Sequence, residues 1–71
     1  MAARDFFERA ADAGLAAGAL RLAATYDPGV LKRLKAQGVA PDVALARKWY
    51  ERARDLGSTE AAEPLRQLGQ Q

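Results

Sequence analysis

The sequence predicts an all-α fold, a short right-handed α-solenoid of antiparallel helix pairs with four main helices plus a short inserted helix. The first observation behind this prediction is an internal repeat, since residues 3–14 (ARDFFERAADAG) return as residues 46–57 (ARKWYERARDLG). A repeat of this period is typical of stacked helical hairpins. The second observation is that apolar residues recur at spacings of three and four, which place them on one helix face.

The composition predicts a small hydrophobic core and excludes some kinds of chemistry. The 71 residues predict one domain, and a domain this small buries only about 60% of the surface that its unfolded chain exposes. Hydrophobic residues make up 49% of the chain but aromatic residues only 7%, so each buried side chain removes little apolar area from water. With no cysteine and no histidine, disulfides and thiolate chemistry are excluded, and we predict neither a metal nor a cofactor.

The charge and the hydropathy argue against two classes of partner. Eleven cationic and nine anionic residues leave a net charge of only +2. The resulting electrostatic field is weak, which argues against nucleic acid as a partner. No apolar run approaches the roughly 20 residues of a membrane span, and the N-terminus lacks the layout of a secretory signal. We therefore expect a soluble protein, cytoplasmic as written, or periplasmic if the segment belongs to a longer exported chain.

The first predicted helix covers residues 3–13. Phe6, Ala10 and Ala13 lie on one face of it, and Gly14 follows as a stop, since glycine enters the left-handed conformation without steric cost.

A second helix is predicted over residues 16–26, with an inward stripe of Ala19, Leu22, Ala23 and Tyr26. Gly18 lies inside it, where glycine costs about 1 kcal/mol relative to alanine. Either a neighbouring helix approaches closely at Gly18 or this helix is weak. We favour the close approach, because the equivalent position in the second copy is the small Ala61.

The middle of the chain predicts a break and a short helix. Asp27, Pro28 and Gly29 are turn residues. A short amphipathic helix is predicted over residues 30–37, before Gly38. Asp42 is then a candidate N-cap, because its carboxylate can accept from free backbone amides.

The strongest predicted helix covers residues 43–56, and Gly57 closes it. Its apolar stripe consists of Val43, Ala46, either Trp49 or Tyr50, Ala53 and Leu56. A last helix is predicted over residues 58–68, capped by Ser58, with Ala61, Ala62, Leu65 and Leu68 inward. Pro64 either kinks this helix or begins a fresh turn.

Together these segments resemble the Sel1-like repeat, a helical-hairpin family related to tetratricopeptide repeats. The resemblance rests on residues 22–26 (LAATY), 38–42 (GVAPD) and 46–57. It implies the second helix of a preceding unit at 3–14, one full unit at 16–57 with an insertion at 27–37, and at 58–68 the first helix of a following unit or a cap. The family further implies protein binding, as a scaffold or adaptor in signalling, membrane-associated or bacterial envelope systems, with no catalytic residues.

The repeat also predicts where a partner binds. In stacked helical hairpins the first helix of each unit lines the concave side. We expect a small mixed groove there, with these candidate partner-binding residues: Ala17, Leu20, Arg21, Ala24, Glu60, Glu63 and Gln67. A solvated face with one exposed leucine is the alternative.

Two other groups of side chains have functional and structural interpretations. Phe6, Tyr26, Trp49 and Tyr50 could stack on bases, but their helical spacing predicts core positions. Lys32, Arg33 and Lys35 form a basic cluster, a possible anion contact and equally a solvated helix face.

Catalysis is not predicted. The candidate carboxylates are Asp5, Glu8 and Asp12 on the first helix and Glu51 and Asp55 on the fourth. Cations flank each of them, whereas a general acid needs a pKa raised by burial or by a like-charged neighbour.

We therefore predict a non-enzymatic protein-protein interaction module. Its partner is another protein, the rest of its own parent chain or a second copy, because apolar surface near Phe6, Phe7 and Leu65 should be left open. The alternative is a small basic helical domain that binds nucleic acid through Lys32, Arg33 and Lys35, or a homodimeric regulatory domain.

Overall fold

The computed structural model describes residues 2–69, with side-chain surroundings from residue 4 onward. Over this range the chain is all-helical, as predicted, with five helices and no strand. The helices are α1 (Ala2–Asp12), α2 (Ala16–Tyr26), α3 (Pro28–Arg33), α4 (Val43–Asp55) and α5 (Ala62–Leu68).

The main helices pack in chain order. Helix α2 lies at the centre, with α1 on one side of it and α4 on another, while α5 packs against α4 and α3 against α2. The whole measures 28 × 28 × 17 Å. Main helices that are consecutive in the chain are therefore also neighbours in space.

Helix α1 ends in a Schellman motif at the predicted glycine. Gly14 has a φ of +86°, and its N–H donates to the Ala11 carbonyl at 2.9 Å. The N–H of Leu15 donates to the Ala10 carbonyl at 3.1 Å. These two bonds satisfy carbonyls that the helix end leaves without partners.

Helix α4 ends in the same way at the repeated positions. Gly57 has a φ of +106° and donates to the Arg54 carbonyl at 2.9 Å, and Ser58 donates to the Ala53 carbonyl at 2.9 Å. The repeated sequence thus produces the same helix stop twice, which confirms the role predicted for both glycines.

The insertion forms α3, which begins two residues earlier than predicted. The Asp27 carboxylate caps it by accepting from the Gly29 N–H at 2.9 Å. Pro28 occupies the first turn, where its missing N–H costs no helical bond. The turn residues therefore start α3 as well as ending α2.

Helix α3 also ends earlier than predicted, at Arg33 and not at Gln37. Lys35 takes a left-handed φ of 53° and donates to the Lys32 carbonyl at 3.1 Å, while Ala36 donates to the Leu31 carbonyl at 3.0 Å. Lysine thus fills a Schellman position that glycine fills elsewhere in the chain.

The left-handed Lys35 gives a first prediction. Lys35→Gly should raise the free energy of unfolding by about 1 kcal/mol, because glycine enters this region without a Cβ clash. Lys35→Ala is the matched control, since it keeps the Cβ and removes the same charge. Thermal unfolding of both variants is the measurement, and equal stabilities would contradict the prediction.

Helix α4 begins where the sequence predicts. The Asp42 carboxylate accepts from the Leu45 N–H at 3.1 Å, so the predicted N-cap is confirmed. The Asp42 N–H in turn donates to the Tyr26 carbonyl at 2.8 Å. This bond fixes the start of α4 against the end of α2.

Helix α5 is shorter than the predicted 58–68 helix, and Ser58 does not cap it. It begins at Ala62 after the N-cap residue Ala61, which makes no side-chain cap bond. A helix from residue 58 would place Pro64 in its interior, where the ring clashes with the carbonyl four residues earlier. Starting at Ala62 places Pro64 in the first turn.

The core is small and consists mostly of alanine. The fully buried apolar residues are Ala11, Ala19, Leu22, Ala23, Ala46, Tyr50, Ala53, Ala61 and Leu68. On α2 the predicted stripe is confirmed at Ala19, Leu22 and Ala23, with Tyr26 half-buried. On α4 the structure selects Tyr50 over Trp49, which is half-buried against the core.

The predicted stripe on α1 is wrong in its orientation. Ala11 is fully buried, whereas Ala13 is exposed and Phe6 is 68% exposed. The physical reason is that α1 packs mainly against α2, so the residues that face α2 are the ones that are covered. The inward positions predicted for Val43 and Ala62 are likewise exposed.

The close approach predicted at Gly18 is confirmed. A Cβ at this position would lie 2.5 Å from the Ala10 Cβ and 2.9 Å from the Ala11 backbone nitrogen. Helix α1 therefore packs directly on the glycine backbone, and the glycine is needed for its small size.

Candidate functional site

A buried carboxylate and a buried tyrosine meet where α2, α3 and α4 come together. The Tyr50 hydroxyl donates to Asp27 Oδ2 at 2.8 Å, and Asp27 and Tyr50 are only 6% and 1% exposed. The other oxygen, Oδ1, accepts from the Gly29 N–H. One carboxylate thus joins the start of α3 to the middle of α4.

The pair shifts the ionisation of the tyrosine. Burial raises the pKa of Tyr50 well above its ordinary value, and the hydrogen bond to Asp27 and the charge of that carboxylate raise it further. The positive charge of Arg33 acts in the opposite direction. The hydroxyl therefore remains a hydrogen-bond donor far into the alkaline range.

This shift predicts an alkaline loss of stability. The pKa of Tyr50 is higher in the folded than in the unfolded chain, so its contribution is complete below the unfolded pKa of about 10 and declines as the pH rises above it. The free energy of unfolding should fall by up to about 1.4 kcal/mol per pH unit from this group. Denaturant titrations at stepwise pH should show a shallower decline in Tyr50→Phe than in the control Tyr26→Phe, and parallel declines would contradict the assignment.

Arg4 ties α1 to the end of α2 and to the loop before α4. Its guanidinium donates to the Thr25 carbonyl at 2.6 Å, to the Thr25 hydroxyl at 3.2 Å and to the Ala40 carbonyl at 3.0 Å. The guanidinium carbon also lies 4.0 Å from the centre of the Tyr26 ring, a cation–π arrangement.

An apolar groove, here called the α3 groove, opens beside Arg4. It has a volume of about 200 Å³ and is lined by Arg4 together with Ala24, Thr25, Val30, Leu31, Leu34 and Val39. Leu34 is 71% exposed. Helix α3 has no fully buried residue, so its apolar side forms this groove without entering the core.

A second groove, the terminal groove, lies between α1 and α2. Its volume is about 330 Å³, and its walls include Phe6, Phe7, Ala10, Leu15, Ala17 and Arg21. Phe6 packs edge-on against Phe7, with ring centres 5.7 Å apart, and Leu15 is 57% exposed. Apolar surface near Phe6 was predicted to be open, and the structure places it here, while Phe7 and Leu65 are half-buried.

The structure does not bring the predicted partner-binding residues into one groove. Ala17 and Arg21 line the terminal groove and Ala24 lines the α3 groove, whereas Leu20 packs against the core. The exposed group on the α5 side consists of Glu60, Glu63 and Gln67.

Glu63 is engaged within its own helix. Arg66 donates to its carboxylate, with the bond from Nε to Oε2 at 3.1 Å, and these hydrogen bonds hold the pKa of Glu63 below its ordinary value. Glu63 therefore pairs with a cation of its own helix.

The predicted anion-contact residues lie on the insertion that also supplies apolar lining of the α3 groove. Lys32 and Arg33 form the last turn of α3, and Lys35 follows it in the left-handed position. All three side chains are exposed, and none of them lines the groove itself.

The carboxylates considered for catalysis lie on the surface. The structure exposes all five: Asp5, Glu8, Asp12, Glu51 and Asp55. Between residues 2 and 69, acidic side chains do not gather in threes as metal ligands would. Within the same range no helix has both the length and the apolar character required to cross a bilayer.

Comparisons with family models, characterised proteins and solved structures find no match to this chain.

Proposed function

We propose that this chain is a protein-protein interaction module built from Sel1-like repeats, a scaffold or adaptor without catalysis of its own. In this proposal the helices form a short right-handed solenoid: α1 ends one unit, α2 to α4 form a full unit with α3 inserted, and α5 begins the next. The ends of the solenoid stack onto another helix pair.

A difference in burial between equivalent positions supports the proposal most. Trp49 packs against the core, whereas its counterpart Phe6 is 68% exposed. Ala19 is fully buried, whereas its counterpart Ala62 is exposed. Helix α1 therefore leaves open a position that is packed in its counterpart α4, and α5 leaves open a position that is buried in its counterpart α2. In repeat proteins such open faces bind the helices of a neighbouring unit.

Phe6 and Trp49 therefore do not share the same surroundings, as a strict repeat would require. In the proposal, Phe6 is exposed because no further helix pair covers the outer side of α1. The matched Schellman motifs at Gly14 and Gly57 support the equivalence independently of burial.

Nucleic acid is the less favoured partner. The exposed cations Lys32, Arg33 and Lys35 lie on the insertion, and the groove that this insertion lines has no aromatic lining residue, so it offers no platform for base stacking. Titration with a nonspecific duplex should show no steep salt-dependent binding, and a steep dependence would favour the nucleic-acid alternative.

Sedimentation velocity tests the stacking. The mass of the wild-type protein should rise with concentration, whereas Phe6→Asp, which alters an exposed side chain, should abolish that rise. Leu34→Asp is the control, because it changes an equally exposed residue in the other groove. A folded wild-type monomer at every concentration would contradict self-stacking.

A further inference from the structure

The α3 groove is formed by the part of the chain that the repeat does not explain. Val30, Leu31 and Leu34 of the insertion are three of its five apolar lining residues, yet α3 contributes nothing fully buried to the core. Leu34 is the most exposed large apolar side chain described. The open apolar side of α3 is therefore available to contact a partner.

The groove is held in shape before any partner arrives. Arg4 bonds to carbonyl groups of both Thr25 and Ala40, and its guanidinium stacks on Tyr26. On the other side, Asp27 anchors the start of α3 to Tyr50. Both walls are thus fixed to the main helices, and a fixed site loses less conformational freedom on binding.

The insertion that supplies most of the apolar lining carries charge of one sign. Residues 28–41 include Lys32, Arg33 and Lys35 and no acidic residue. Of the two acids that bound this stretch in sequence, Asp27 is buried in its pair with Tyr50 and Asp42 caps α4. An acidic partner would therefore meet exposed cations beside the groove, and complementary charge favours encounter and fixes orientation.

The size of the groove indicates what enters it. About 200 Å³ is less than the roughly 300–1,000 Å³ of sites for drug-sized ligands. A single large apolar side chain of a peptide is a better match than a whole small molecule.

We propose that the α3 groove binds an acidic peptide segment of another protein, which inserts one large apolar side chain beside Leu34 and places carboxylates against Lys32, Arg33 and Lys35. This inference rests on the proposed function as a protein-binding module and names the chemistry of one partner. The α3 groove is separate from the terminal groove. An experiment can therefore reject peptide binding without rejecting helix stacking, and the reverse.

The test uses fluorescence anisotropy with three labelled peptides and the full chain carrying Phe6→Asp, so that stacking does not contribute. The first peptide consists of Asp and Glu with one central Phe, the second replaces that Phe with Ala, and the third replaces the acids with Lys. The first should bind, and each of the others should bind about tenfold more weakly or less, because they lack the apolar anchor or the charge.

Two variants locate the binding. Leu34→Glu should weaken binding of the first peptide by about tenfold or more, because it places a carboxylate at the apolar rim. Leu15→Glu is the matched control, since Leu15 is similarly exposed but lies in the terminal groove. It should change the affinity by less than about twofold.

Three results would overturn the inference: no binding of the Phe-containing acidic peptide, equal binding of the Ala peptide, or equal losses in the two leucine variants. Binding of the protein to vesicles of anionic lipid is measured as an additional experiment. Vesicle binding that Leu34→Glu abolishes, with no binding of the acidic peptide, would replace the proposed partner with a membrane surface. Peptide binding without self-stacking would keep this inference and reject the stacking proposal.

Discussion

Replacing Gly18 with alanine should destabilise the protein by about 1–3 kcal/mol, the usual cost of overpacking a tight contact. Helix propensity alone predicts the opposite, a gain of about 1 kcal/mol. The structure decides between them, because the added methyl would lie 2.5 Å from the Ala10 Cβ and 2.9 Å from a backbone nitrogen of α1. A backbone cannot move aside as a flexible side chain does, so α1 must shift away from α2.

Thermal unfolding measures this effect, with a decrease in Tm of roughly 4–8 °C for each kcal/mol in a domain of this size. The double variant Ala10→Gly/Gly18→Ala provides the control, since it removes one of the clashing atoms. The two changes should be less destabilising together than the sum of their separate effects. A more stable Gly18→Ala variant would show that α1 does not pack as closely as described.

Tyr50→Phe should lower the free energy of unfolding by about 1–3 kcal/mol, because it leaves a buried acceptor on Asp27 without its donor. Asp27→Ala should cost at least as much, since it also removes the N-cap of α3, a change that typically costs about 1 kcal/mol. The cost of Tyr50→Phe should be smaller in the Asp27→Ala background, because no acceptor then remains to be left unpaired.

Urea unfolding of the two single variants and the double variant gives the coupling between the residues. Tyr26→Phe is the matched control, because Tyr26 is only half-buried, and it should change stability by no more than about 0.5 kcal/mol. Additive effects of Tyr50→Phe and Asp27→Ala would rule out the pair as a source of stability.

Much of the fold could be predicted because its signals are local. The stops at Gly14 and Gly57 and the cap at Asp42 depend on residues within a few positions, and the structure has all three. The apolar stripe of α2 was predictable for another reason. Helix α2 is central and packs against α1, α3 and α4, so its periodic apolar residues are covered by neighbouring helices.

The predictions that were wrong depend on the absence of a neighbour or on competition between local signals. Phe6 fits an apolar stripe, yet α1 packs mainly against α2 and leaves Phe6 open. Ser58 fits a cap, yet Pro64 requires a later start for α5. Lys35 ends α3 before Gly38, although lysine is seldom left-handed.

The grooves and the buried pair could not be read from the sequence. Asp27 belongs to a run of turn residues, and its bond to Tyr50 spans 23 positions. Arg4 reaches Thr25 and Ala40 across 21 and 36 positions. Such contacts depend on how the helices pack against one another. They cannot be predicted from the spacing of residues within one helix.

The central claim is that α1 and α5 present surfaces equivalent to those that α4 and α2 bury against each other. Sedimentation of two blocked variants tests it most directly: Phe6→Asp blocks the α1 end, and Ala62→Asp blocks the α5 end. Each variant alone should be monomeric, and an equal mixture should form a dimer, because each retains the end that the other has lost. A mixture that remains monomeric at concentrations where the wild-type protein associates would contradict the claim.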